Sequence, residues 1–236
     1  MDNRNPINEP APYVDWRKSG LALLILVAEI AIELLAQAFK INLLAQSIIL
    51  SAAGLLTMVG MMYLYWDILR PAWTAFRTHL WRRLILLLLL SIGIKIVVAI
   101  IMLILALASP LKSSPTTTTN IAPIAMNTKA LFFALTPFLL AAPFYEEIFY
   151  RHVLYYQWRA RRGWGVIMLF ISSVLFGLAH WSNVGGHALL TVPFMLLGLS
   201  FALIYRRQQN IWYNIITHFM YNASTVLLLA VGLLLV

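Results

Sequence analysis

The chain contains no cysteine among its 236 residues, which excludes disulfides and thiolate metal sites and leaves histidine and carboxylate as the ligands for any metal. Charge is scarce: only 11% of the residues are Asp, Glu, Lys or Arg, and just 8 of those are acidic. A soluble block is missing too, because apolar runs follow one another from about residue 18 to the C-terminus. With 62% hydrophobic residues and a mean hydropathy of +0.84, the chain has too much apolar surface for one soluble core. The composition therefore predicts an all-α, polytopic transmembrane helix bundle.

The formal charge of +9 does not point to nucleic acid, because the Lys and Arg residues lie beside apolar runs, as expected for cytoplasmic loops. The expected partner from composition is membrane lipid; the oligomeric state is left open. Residues 1–17 form a polar lead without a clear cleavage site, so the first apolar run reads as an uncleaved span. At roughly 20 apolar residues per span, about seven fit, near 18–39, 43–66, 84–108, 129–154, 164–182, 187–205 and 211–235. Arg17 and Lys18, then Arg70, Arg77, Arg82 and Arg83, then Arg159, Arg161 and Arg162, and finally Arg206 and Arg207 all fall on one side. The opposite connections carry Lys40, Lys112 and the boundary residue Lys129, with no Arg, and 109–128 is rich in Ser, Pro and Thr. This charge asymmetry predicts a plasma-membrane protein with its N-terminus in the cytoplasm and its C-terminus outside.

Ionisable groups inside apolar segments are costly, at least about 2.5–3.5 kcal/mol each at mid-bilayer, and are functional candidates for that reason. Glu147 and Arg151 are four apart, share a helix face and can pair, whereas Glu146 is turned about 100° away and stays available. A glutamate in a poorly solvated site suits a general base that activates water; a structural ion pair at the inner interface is the plainer reading. His180 follows Phe176 by one helical turn, and if the chain turns at Gly163, Glu146 and His180 each stand 17 positions from the turn. His218 and Asn222 also share a face and suit either an oxyanion and a water or simple hydrogen bonding between helices. One tension is depth. His218 is about 10 Å into its span and Glu146 about 25 Å from Gly163 at helical rise, so they meet only if the fourth helix projects into the cytoplasm through 155–162.

Taken together, Glu146-Glu147-Ile-Phe-Tyr-Arg151, Phe176 to His180, and His218-Phe-Met-Tyr-Asn222 resemble the motifs of the CPBP family (CAAX protease and bacteriocin-processing, or Abi) of intramembrane proteases. The resemblance covers about residues 129–225, and the first three spans add nothing to it. One departure is Gly198 followed by Ala202, where the family often has two glycines; close packing survives because both residues are small. The apolar runs give a three-span region with an outer loop at 1–128, and the resemblance implies a protease core at 129–236 whose substrate is a peptide or a membrane-associated protein. It also implies roles: Glu146 as the base, His180 positioning water, Glu147 with Arg151 orienting them, and His218 with Asn222 stabilising the oxyanion. No cofactor is then required. The alternative is one divalent metal, zinc by ligand type, held by Glu146, His180 and His218. Prenylated CAAX proteins, bacteriocin or pheromone precursors, and bacteriocin self-immunity are all compatible substrates or roles.

Other polar residues have plainer readings. Glu29, Glu33 and Gln37 form an i, i+4, i+8 stripe on the first span, and Lys95 lies as deep in the third as Glu29 in the first, so an ion pair between them is expected. A transporter or ion relay would use the same groups, and a non-catalytic immunity protein would keep the fold without the chemistry. His79, His152 and His187 are expected to face solvent, Pro193 to kink the sixth helix, and Trp158, Trp164, Trp181 and Trp212 to anchor at the interface. The loop charges generate a direct test: a single cysteine placed at position 118 should react with an impermeant thiol reagent added outside intact cells. Labelling from the cytoplasmic side alone would overturn the orientation.

Overall fold

A computed structural model describes residues 14–108 and 129–234. Every regular element among them is helical: α1 (Trp16–Ala38), α2 (Leu43–Leu64), α3 (Trp66–Phe76), α4 (Leu80–Ala108), α5 (Lys129–Glu146), α6 (Trp164–Ala179), α7 (Val192–Gln208) and α8 (Ile211–Leu234), with a π-helical turn at Glu147–Val153 directly after α5. The expected outer loop at 109–128, with Lys112 and position 118, lies outside the described residues. α1 and α2 begin where a side chain supplies the acceptor that the first-turn N–H groups lack: Asp15 accepts from the Lys18 amide at 3.0 Å and Asn42 from the Ala45 amide at 2.9 Å.

Six helical stretches are long and apolar enough to cross a membrane. The seventh, α6, is apolar but has 16 residues, about 24 Å at helical rise against a hydrocarbon core of about 30 Å. It therefore ends at Ala179 and not near 182 as expected. Large apolar side chains cover the outside of the bundle, among them Leu56 at 72% and Leu107 at 78% exposure, as lipid-facing helices require. This is a multi-pass membrane protein.

The helix order in space is α1 on α2, α2 on α5, and α5 on α8, with α4 and α7 packed on α8 and α6 on α7. Small residues permit the closest approaches. A side chain on Gly177 would come within 2.8 Å of the Met195 backbone nitrogen, and one on Gly198 within 3.0 Å of the Ser173 carbonyl. Ala202, one turn beyond Gly198, is fully buried, so the Gly198–Ala202 stripe does form a packing face. α3 is a short helix that buries Leu69 and Phe76, and Trp212 at the start of α8 donates its indole N–H to the Leu69 carbonyl at 2.8 Å.

Several expectations change. The expected fourth span is present as the helical stretch Lys129–Trp158, but within it the α-helix gives way to the π turn at Glu147. Nor does a straight helix project through 155–162: Tyr156–Trp158 is a 3₁₀ turn, Tyr155 to Gln157 are buried, and Gln157 accepts from the Asp15 amide at 3.0 Å. The chain then reverses at Gly163, whose φ of 78° is open to glycine. The 10 Å versus 25 Å mismatch disappears because residues 147–163 are not one straight rod. The sixth span begins with a 3₁₀ turn at Ala188–Thr191, so Pro193 sits in the first turn of α7 and not at a kink; its missing N–H costs nothing there. His152 is buried against the Tyr205 hydroxyl at 3.0 Å, whereas His79 and His187 are exposed as expected.

The expected Glu29–Lys95 pair does not form. Glu29 accepts from the Tyr145 hydroxyl at 2.9 Å, and Lys95 reaches α8, where it donates to the Tyr221 carbonyl at 2.7 Å and to Thr225 at 2.5 Å. Equal depth brought no contact because α4 packs on α7 and α8 and not on α1 to any extent. The close α6–α7 approach predicts that Gly177→Ala destabilises the protein by about 1–3 kcal/mol, the usual cost of overpacking. A thermal-unfolding midpoint in detergent equal to wild type would contradict that contact.

Candidate active site

The site forms where α5 gives way to the π turn and meets α8. In the π turn the Leu154 amide bonds the Phe149 carbonyl, five residues back, at 3.0 Å, the wider winding frequently found at functional sites. It turns Glu147, Ile148, Arg151 and His152 inward, and Glu147 and Arg151 are fully buried. A buried carboxylate needs several partners to offset its lost hydration. Glu147 has three: His218 Nδ1 at 2.9 Å, Asn214 Nδ2 at 3.3 Å and Arg151 Nε at 3.3 Å.

Arg151 is held in an unusual way. Its Nε lies within ion-pair range of Glu147, yet none of its nitrogens makes a well-aimed hydrogen bond. The guanidinium lies 4.5 Å from the Phe176 ring centroid, 5.6 Å from that of Phe201 and 5.7 Å from that of Tyr150. Charge and aromatic faces, more than directed hydrogen bonds, hold it.

Those rings also frame the histidines. His218 stacks on Phe201 at 4.7 Å and meets Phe176 edge-on at 5.8 Å; His180, which caps the end of α6, lies 4.8 Å from Phe176 and stacks on Phe194 at 4.6 Å. Each imidazole uses Nδ1 on an oxygen acceptor, His180 on the Phe176 carbonyl at 2.8 Å and His218 on Glu147. A carbonyl and a carboxylate only accept, so both Nδ1 atoms carry hydrogen, and in a neutral ring Nε2 presents its lone pair.

Glu146 differs from its neighbour. Its carboxylate is 19% exposed and lies 3.9 Å from His218 Nε2, too far for a direct hydrogen bond. Glu146, Glu147, Arg151, His180 and His218 therefore gather around Phe176 and the start of α8.

Asn222, one turn beyond His218 on α8, donates to the Leu139 carbonyl of α5 at 2.8 Å. That carbonyl lacks its helical donor because Pro143, four residues on, has no N–H. Asn222 thus repairs α5 while keeping a second N–H. Sequence reasoning missed Asn214, which is fully buried and donates to both Glu147 and the Phe201 carbonyl, the latter at 2.6 Å. Its signal was present: Asn214, His218 and Asn222 are spaced i, i+4, i+8 on one helix face.

Residues 127–224 match a family model described as type II CAAX prenyl endopeptidase Rce1-like. That segment, less than half of the chain, is similar to the CPBP family. No curated protein and no solved structure matches the chain. All six expected site residues fall inside the matched segment, as does Asn214. The imidazoles, each with Nδ1 tied to an acceptor, suit metal ligation by chemistry. Their spacing does not fit: among the described residues no three His, Asp or Glu side chains stand close enough together to hold an ion.

The burial of Glu147 and Arg151 predicts that Arg151→Ala costs about 3–5 kcal/mol of stability by stranding a buried charge. Asn222→Ala, which strands one carbonyl, should cost about 1–3 kcal/mol. Denaturation of the purified variants measures both, and an Arg151 variant more stable than the Asn222 variant would contradict the assignment.

Proposed function

We propose that this membrane protein is an intramembrane endopeptidase in which Glu146 activates the attacking water. One observation carries the reading: of two adjacent glutamates, Glu147 is saturated by three partners and fully buried, while Glu146 is partly open and faces the Nε2 of an imidazole that Glu147 holds in place. A separation of 3.9 Å lets one water oxygen lie within hydrogen-bonding reach of both groups. Glu146 then takes the water proton as hydroxide adds to the peptide carbonyl, and returns it to the leaving amine.

The developing oxyanion needs donors. His218 supplies one when Nε2 carries a proton, a state in which Glu146, Glu147, Arg151 and His218 sum to zero charge. The second Asn222 N–H is another donor on the same helix face. His180 orients the water through its Nε2 lone pair, and Arg151 and Asn214 act through Glu147. The family description supports a prenylated, C-terminal CAAX-type peptide as the substrate class. Bacteriocin or pheromone processing and self-immunity are weaker readings, with no residue here that favours them.

Glu146→Gln should abolish cleavage of a prenylated peptide while leaving folding near wild type, because the amide keeps the shape and loses the base. His218→Ala should lower kcat by roughly 10²–10³-fold, the scale of one oxyanion donor. A fully active Glu146→Gln enzyme removes the proposed base. Stoichiometric zinc in active enzyme, lost with activity on chelation and restored on readdition, would replace the direct-water route with a metal one.

A further inference from the structure

A cavity of about 270 Å³ opens at the arginine-rich end of the bundle, between the start of α1, the junction of α2 with α3 and the turns that follow α5. It is small beside the roughly 300–1,000 Å³ of drug-sized sites, so it suits one compact polar group. None of the six expected site residues lines it.

Its wall carries both signs of charge. Lys18 pairs with Asp67 at 2.7 Å, and Asp15 gives one carboxylate oxygen to the Lys18 amide at 3.0 Å. Arg159 has no carboxylate partner among the described residues. Its guanidinium lies 3.6 Å from the Tyr156 ring centroid, and one nitrogen donates to the Tyr156 carbonyl at 3.1 Å, which leaves most of its N–H groups for a ligand. Tyr65 points the same way: it lines the cavity, is 1% exposed, and its hydroxyl makes no well-aimed hydrogen bond. A buried hydroxyl in that state is costly until a ligand supplies a partner.

The mixture of charges selects the ligand. A lone phosphate would meet Asp15 and Asp67, and a lone ammonium would meet Lys18 and Arg159, so half of the wall repels either one. A zwitterion satisfies both halves. Its cationic end must be a primary ammonium, because a quaternary one has no N–H for Asp67 and the Tyr156 face that could hold it is already covered by Arg159. Depth names the source. Trp16 and Trp66, each next to a residue of the wall, are exposed, and Trp16 meets Trp158 edge-on at 5.6 Å beside Arg159. Exposed indoles of a membrane protein lie at headgroup level.

We propose that this cavity binds the headgroup of a phosphatidylethanolamine-type lipid, with its phosphate on Arg159 and its ammonium on Asp67. The site also touches the candidate active centre. His152 follows Arg151 in the π turn, forms part of the cavity wall and meets the Tyr205 hydroxyl of α7 at 3.0 Å. A bound headgroup therefore braces the turn that carries Glu147 and Arg151.

The test uses purified protein stripped of lipid in neutral detergent, with bound copies counted by native mass spectrometry, so it does not depend on peptide cleavage. The probes are dioleoyl phosphatidylethanolamine, phosphatidylcholine and phosphatidylglycerol, and water-soluble glycerophosphoethanolamine. A single phosphatidylethanolamine per chain should bind roughly 10-fold more tightly than the other two lipids, the scale of a charge-assisted hydrogen bond. Arg159→Gln and Asp67→Asn should each remove most of that preference, and Arg159→Lys should keep part of it. Thermal unfolding reads the phenol: Tyr65→Phe should leave the midpoint of lipid-free protein unchanged or raised and should shrink the upward shift that phosphatidylethanolamine brings. A lowered midpoint without lipid would make the Tyr65 hydroxyl a structural group and count against the site. Equal binding of the three lipids by wild type, or a preference for phosphatidylglycerol, overturns the proposal without any variant. Glycerophosphoethanolamine binding as tightly as the whole lipid overturns the lipid as the source and assigns the cavity to a soluble zwitterion.

Discussion

A carboxylate with no solvent exposure organises this half of the molecule. Removing Glu147 from water carries a penalty of several kcal/mol, which a single ion pair does not reliably offset. Arg151 alone would be a poor answer, because its nitrogens are not aimed at the carboxylate. The balance is made across helices, by His218 and Asn214 from α8. Holding Glu147 in place therefore fixes the rotation of α8 against the π turn. It also fixes the tautomer of His218 and directs Nε2 toward Glu146. The residue that does no chemistry in the proposed mechanism sets the geometry of those that do.

The same logic recurs wherever a polar group enters the apolar bundle. Pro143 removes a donor from α5, and Asn222 on α8 supplies one. Ser51 on α2 donates to the Ala134 carbonyl on α5, and Tyr145, next to Glu146, donates to Glu29 on α1. These contacts tie α1 and α2 to the helix that carries the site, although neither lies in the segment matched by the family model. In lipid, where apolar contact gives helices little reason to prefer one another over the acyl chains, such polar links and close small-residue packing select the arrangement. Gly177 and Gly198 provide the second of these between α6 and α7.

Much of this was legible in the sequence because it follows from local composition. Long apolar runs with sparse charge require membrane helices whatever their packing, and the i, i+4 spacings of Glu147 with Arg151 and of His218 with Asn222 determine shared faces. The pairing of Glu147 with Arg151 and the availability of Glu146 followed from that spacing alone. What a neighbouring helix contributes cannot be read from one helix's period. Lys95 and Glu29 were matched by depth and found partners elsewhere, His152 was expected to face solvent and is buried on Tyr205, and Asn214, which the sequence reading did not single out, closes the shell around Glu147. The π turn was equally hidden, since an extra residue per turn leaves no composition signal and is held by the contacts of its inward side chains. Sequence by itself determined the helices and the chemical inventory of the site; only the tertiary structure decided which glutamate is saturated and which stays open, because the desolvation of a carboxylate depends on every element packed around it.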